Sequence, residues 1–177
     1  MPCTKLLYVA GTALLAFAAV PTAAQTTGTI AVTLNVTSAC VINGASALQG
    51  SAGTVGAIRF PDQPGIFANV DADLVGTGQS GAMSVLCSPG ASPVLTVGAG
   101  QNDAAGRHRL ASSGNTLPYR LYSDASRTTE LTINHQIALP VATSTATLVP
   151  IYARVTSGGA VIPAGSYSDT VQITLSW

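Results

Sequence analysis

The sequence predicts an all-β chain built as an antiparallel sandwich, and three observations carry that prediction. Apolar residues recur at every second position in several short runs, the signature of strands with one buried face. Glycine and proline punctuate the chain about once in six residues after residue 24, with 17 Gly and 8 Pro in the remaining 153, which suits short strands joined by turns. Charge is scarce: seven Lys and Arg and seven Asp and Glu make up 8% of 177 residues, with no net charge. A helical bundle lines its wet face with charged side chains, so this composition argues against one. It also excludes a disordered chain, which needs high charge and low hydropathy. A nucleic-acid binder driven by phosphate neutralisation needs a basic excess, and there is none. The length fits one domain.

Met1–Ala24 reads as a secretory signal. Lys5 gives a positive start, Leu6–Val20 is an apolar run of 15 residues, and Pro21-Thr22-Ala23-Ala24 offers small residues for cleavage before Gln25. The apolar run falls short of the roughly 20 residues that span a bilayer. No second long run follows, so no stable membrane insertion is expected. The 153 residues left carry six Arg against seven acids. A chain of that size buries roughly 68–70% of its unfolded surface, enough for one real core. Cys3 departs with the signal, leaving Cys40 and Cys87. Two cysteines in an exported chain read most simply as one disulfide. Closing the 47-residue span between them restricts the unfolded chain by about 4 kcal/mol in the chain-entropy account.

The strands follow in order. Ile30, Val32, Leu34 and Val36 alternate with Ala31, Thr33 and Asn35. Met83, Val85 and Cys87 alternate with Ser84 and Leu86. Leu131, Ile133, Ile137 and Leu139 share one parity with His135, and Val149, Ile151, Ala153 and Val155 share another. Val171, Ile173, Leu175 and Trp177 close the chain, alternating with Gln172, Thr174 and Ser176. Thr, Ser, Asn and Gln fill the wet positions, and Thr favours a pleated surface. Clusters such as Gly50-Ser51-Ala52-Gly53, Pro61-Asp62-Gln63-Pro64-Gly65 and Ser157-Gly158-Gly159 mark turns.

Little in the chain resembles a site of chemistry. His108 and His135 are far apart, and neither has a second imidazole or a carboxylate at ligand spacing. His135 reads as a core or edge histidine. Arg107-His108-Arg109 reads as a solvated loop tip, with contact to an anion as the alternative. Asp71-Ala72-Asp73 reads as a turn before it reads as a cation site. Asn35-Val36-Thr37 matches a glycosylation sequon, but lies within a strand pattern and is read as chance. No nucleophile elbow, phosphate loop or zinc-protease motif occurs. No catalytic, metal-ligating or cofactor-binding residue is expected, no cofactor, and no enzyme.

The closing segment Gly165-Ser166-Tyr167-Ser168-Asp169, followed by the strand Thr170–Trp177, resembles the end of the spore coat protein U family. That family includes pilus subunits of archaic (Csu-type) chaperone–usher systems. Thr37-Ser38-Ala39-Cys40, Ser84-Val85-Leu86-Cys87, Tyr119-Arg120-Leu121-Tyr122-Ser123-Asp124 and Val149-Pro150-Ile151-Tyr152-Ala153 resemble family segments in the same order. The resemblance covers essentially all of Gln25–Trp177. It implies an incomplete immunoglobulin-like antiparallel sandwich lacking its final strand, completed by a donor strand from another chain. Head-to-tail repetition of that contact gives a filament rather than a closed ring.

On this reading residues 25–36 are an N-terminal donor-strand segment, carrying Ile30, Val32, Leu34 and Val36, and 37–177 are the pilin-like domain. Val171, Ile173, Leu175 and Trp177 form the edge strand of the acceptor groove, with no later segment expected to pair with it. Burying four such donor side chains contributes roughly 6–12 kcal/mol as an upper figure. The alternative, that Ile30–Val36 is the first strand of its own sandwich, stays open at this point. The partners implied are a periplasmic chaperone, an outer-membrane usher and neighbouring pilus subunits. The localisation implied is export to the periplasm and then a cell-surface pilus supporting adhesion and biofilm formation. A self-contained exported coat or carbohydrate-binding sandwich is the competing function.

Overall fold

A computed structural model describes residues 24–44, 51–77 and 82–177. Most of the expected signal segment, residues 1–23, lies outside them. The chain divides into two units at Asn35/Val36. In the first, the described residues 24–35 form neither helix nor strand, and Ile30, Val32 and Leu34 are 86–90% exposed.

The second unit is all-β and antiparallel. Its strands are β1 (Cys40–Ile42), β2 (Gly56–Ile58), β3 (Asn69–Gly76), β4 (Met83–Cys87), β5 (Val94–Gly100) and β6 (Arg109–Ser112). They continue as β7 (Asn115–Tyr122), β8 (Glu130–Leu131), β9 (His135–Ala138), β10 (Thr147–Val149), β11 (Tyr152–Thr156) and β12 (Val171–Ser176). Three sheets result: β1-β4-β10, β2-β3-β11-β7-β6 with β8 added to β7, and β12-β5-β9. Buried side chains from all three meet in one core, with Met83, Leu95, Val97 and Leu131 at its centre. A shared core between facing sheets is the construction of a sandwich. β1 begins at Cys40, after the Ile30–Val36 run.

Two runs that look like single strands in the sequence are each broken and sent to different sheets. Leu131 ends β8 against β7, and His135 opens β9 against β5. The break falls at Asn134, in the left-handed region at φ 64°, a conformation that asparagine tolerates. Val149 ends β10 against β4, and Tyr152 opens β11 between β3 and β7. Pro150 sits at that break, where it lacks an N–H to give a ladder. The parity survives both breaks, so the same side chains still point inward.

Asp71 and Asp73 also correct the expectation of a turn. They stand on the exposed face of β3, because Val70, Ala72 and Leu74 supply the opposite, inward parity. Tight turns elsewhere use left-handed pairs: Ser113-Gly114 (φ 46° and 83°) joins β6 to β7, and Ala105-Gly106 (φ 52° and 72°) reverses the chain before His108. These are the backbone angles of a two-residue hairpin turn.

Candidate functional site: an open cleft beside the last strand

β12 pairs with β5 on one side and with no described strand on the other. A cleft of about 1380 Å³ runs along it. Val171, Ile173, Leu175 and Trp177 line one wall; Ile42 of β1 with Val55, Gly56, Ala57, Ile58 and Phe60 in and around β2 line the other. Met83, Val97 and Ile151 lie at its floor. Trp177 bridges the far end, its Nε1–H donating to the Ser38 carbonyl at 3.4 Å. The four residues expected at a groove edge therefore do share one cleft. The alternation places Val171, Ile173 and Leu175 half-buried and Gln172, Thr174 and Ser176 in water.

Cys40 and Cys87 are opposed across the β1–β4 ladder and joined as a disulfide. β1 is three residues long and among the described residues pairs only with β4, so this bond fastens the wall that faces β12.

One end of the cleft is polar, and Asp169 is the single charged residue that lines it. Its Oδ2 accepts the Tyr119 hydroxyl at 2.8 Å, and its Oδ1 accepts the Asn102 backbone N–H and side-chain Nδ2–H, each at 3.1 Å. The Tyr119 hydroxyl is pushed far above the usual phenol range, first by burial, then by its hydrogen bond to Asp169 and the charges of Asp169 and Asp103. Behind it, His108 stacks on the Tyr119 ring, with centroids 5.4 Å apart, and its Nδ1 lies 3.1 Å from Asp103 Oδ1.

His108 is only 3% exposed, which corrects its expected place at a solvated loop tip. The expectation that no carboxylate accompanies His108 is corrected as well: Asp103, five positions earlier, bonds its ring, and Asp169 arrives from 61 positions away through the β5–β12 pairing. The ligand atoms of Asp103, His108 and Asp169 lie within 4.8 Å of one another. Each carboxylate is already engaged by protein donors: Asp103 by His108 Nδ1 and the Gly100 N–H, Asp169 by Tyr119 and Asn102. The arrangement is a hydrogen-bonded clamp.

Charge gathers elsewhere, on the outside of the β3–β11–β7 sheet. Arg154 holds Asp71 in a two-bond fork at 2.7 and 2.8 Å, and Arg127 holds Asp73 at 2.8 Å. The Arg154 guanidinium keeps the Asp71 carboxyl below its ordinary range. Arg127 also lies over the Tyr152 ring, 5.6 Å from its centroid.

With this geometry in hand, the chain was compared with known proteins. The family model described as Spore Coat Protein U domain matches residues 26–174. "Protein U" of Myxococcus xanthus is 32% identical over 156 residues, covering 82% of this chain and 84% of that one. Among solved structures, the chaperone–tip adhesion subunit pre-assembly complex from the archaic chaperone–usher Csu pili of Acinetobacter baumannii matches at 17% identity and a TM-score of 0.49. That match covers 80% of this chain, which spans only 40% of the length of the chain it matches.

Proposed function

The chain belongs to the Spore Coat Protein U domain family, and from that premise we propose that it is a structural subunit of a surface pilus assembled by donor-strand exchange. The observation that carries the reading is the apolar cleft beside an unpaired strand edge, in a chain that also presents an exposed alternating segment at Ile30–Val36. An unpaired ladder row is a template for another strand. The two features also match in length. At about 3.3 Å per residue, the seven residues of Ile30–Val36 reach about 23 Å and the six of β12 about 20 Å.

On this reading residues 1–24 direct export, and a periplasmic chaperone covers the cleft until an outer-membrane usher hands it to the next subunit. Residues 25–36 of one subunit then fill the cleft of its neighbour, and the fibre supports adhesion and biofilm formation. The sandwich is immunoglobulin-like with its last strand supplied in trans. The family's description as a spore coat domain favours a second reading, a self-contained exported coat protein that needs no donor.

Deleting residues 25–36 tests the first reading, with chaperone and usher co-expressed and the cell surface viewed by electron microscopy. The truncated subunit is expected in the periplasm without filaments. Normal filaments would remove the donor role. A mature chain that purifies as a stable monomer without any chaperone would favour the coat reading.

A further inference from the structure

We infer that the Asp103–His108–Tyr119–Asp169 cluster is a register lock that fixes which side chains of β12 face the cleft. The inference rests on the strand-acceptor reading above and adds positioning residues to it.

β12 is exposed to slippage. Among the described residues it pairs on one side only, so β5 alone holds its register, and a shift of one residue against β5 would turn Val171, Ile173 and Leu175 out to water and Gln172 and Thr174 inward.

The pairing with β5 is irregular at its start. Val171 is opposite Gly100, but Ile173 is opposite Val97, so Gly98 and Ala99 face Gln172 alone. This is a bulge, a device that re-aims a strand. Two glycines permit it. A Cβ on Gly98 would stand 2.9 Å from the Gln172 carbonyl oxygen. A Cβ on Gly100 would collide with Asp169 Oδ2 and stand 2.7 Å from Asp103 Oδ1. The two carboxylates converge over the bare Cα of Gly100.

From there the cluster reaches every element near the strand's start. Asp103 Oδ2 accepts the Gly100 N–H at 2.7 Å, fixing the end of β5. His108, stacked on Tyr119, sets the ring whose hydroxyl reaches Asp169. Asn102 grips Asp169 and also donates to the Ser168 carbonyl at 3.1 Å. Ala111 exchanges two backbone bonds with Ser168, and the Gln101 N–H reaches the Thr170 carbonyl. Residues 168–170 are therefore pinned from both sides immediately before the groove edge begins. Among the described residues His108 Nε2 is buried without a partner, a cost that the fold bears to hold the ring against Tyr119.

The expected consequence is preorganisation: the cleft waits with its apolar side chains already inward, so a captured strand need not order them. The test uses the mature chain, residues 25–177, purified as its complex with a co-expressed periplasmic chaperone, and a labelled synthetic peptide of residues 25–36 that displaces the chaperone as the probe. Peptide dissociation and hydrogen exchange at the Ile173 and Leu175 amides are followed in wild type, Asp169→Ala, Tyr119→Phe and Val70→Ala. Val70 is buried on β3, does not line the cleft and pairs with Val155 rather than with a residue of the lock, so its variant loses stability without touching the lock.

Asp169→Ala is expected to release the peptide about tenfold faster, since bonds to a charged acceptor are the strong ones, with faster exchange at both amides. Tyr119→Phe, which removes one hydroxyl and keeps the fold testable if Asp169→Ala does not fold, is expected to move both readouts in the same direction. Val70→Ala is expected to lower the melting midpoint and leave peptide release unchanged. Wild type that captures no peptide would overturn the strand-acceptor reading and this inference with it. Capture by wild type with equal release from both lock variants, or equally faster release from Val70→Ala, would overturn the inference alone.

Discussion

Seven of the thirteen charged residues after position 24 gather around β3, β7, β8 and β11, whereas the cleft beside β12 has only Asp169. The two regions manage exposed β-structure in opposite ways. On the charged sheet every acid has an arginine or an amide within reach, including where Arg154 and Arg120 stand directly opposite across the β11–β7 ladder. Asp71 relieves that like-charge pair from the β3 side, and Glu130 lies 3.8 Å from Arg120 on the other. That face is electrostatically complete. The cleft has one charge, Asp169 at its polar end, and among the described residues no strand pairs with the open side of β12. The difference assigns the chain's low overall charge to a place: it is low along the open edge of β12.

The largest expected effect tests how firmly the cleft's far wall is fastened. Replacing both Cys40 and Cys87 by serine is expected to lower the unfolding free energy by about 4 kcal/mol in a urea titration. A loss under about 1 kcal/mol would show that β1 is held by packing alone and that the two regions differ less in their dependence on covalent support.

A smaller effect contrasts the two regions directly. Leu175→Lys puts a cation on the groove edge, where a captured strand would have to bury it, and about tenfold weaker capture of the residue 25–36 peptide is expected. Thr156→Lys adds the same charge to the exposed side of β11, and capture is expected to stay at the wild-type level. Equal effects at both positions would mean that net charge, not the cleft, governs capture.

Much of this architecture is legible in the residue order. Period two fixes the inward parity of β4, β11 and β12, and the cysteine pair can be read without coordinates. The sheet changes cannot. A break at Asn134 or Pro150 leaves parity intact, so nothing in the hydropathy pattern reports that the strand has moved to another sheet. The lock is illegible for a related reason. Asp103, His108, Tyr119 and Asp169 come from three separate segments, and only the β5–β12 and β6–β7 pairings bring them together. Gly98 and Gly100 are the local trace, two bare positions inside a strand, where glycine signals a bulge or a close approach.

The smallest effect lies in the loop that completes the charged sheet. The Asp124 carboxylate accepts the Thr129 N–H at 2.6 Å, the Thr128 N–H and the Thr128 hydroxyl. Those bonds, the one from Thr129 foremost, lower its pKa to about 2. A depressed carboxylate pKa stabilises the fold above the unfolded value of about 3.9, and that contribution fades as pH falls through the folded value. Carboxyl chemical shifts followed by NMR are therefore expected to place the Asp124 midpoint near 2, with Thr128→Ala moving it upward; a midpoint near 3.9 in wild type would deny these bonds. The turn also holds Arg127, whose N–H donates to the Asp124 carbonyl and whose φ is +58°. Acid that protonates Asp124 thus loosens the mount of the guanidinium that serves Asp71 and Asp73. On that face even a half-exposed carboxylate acts through the network it belongs to.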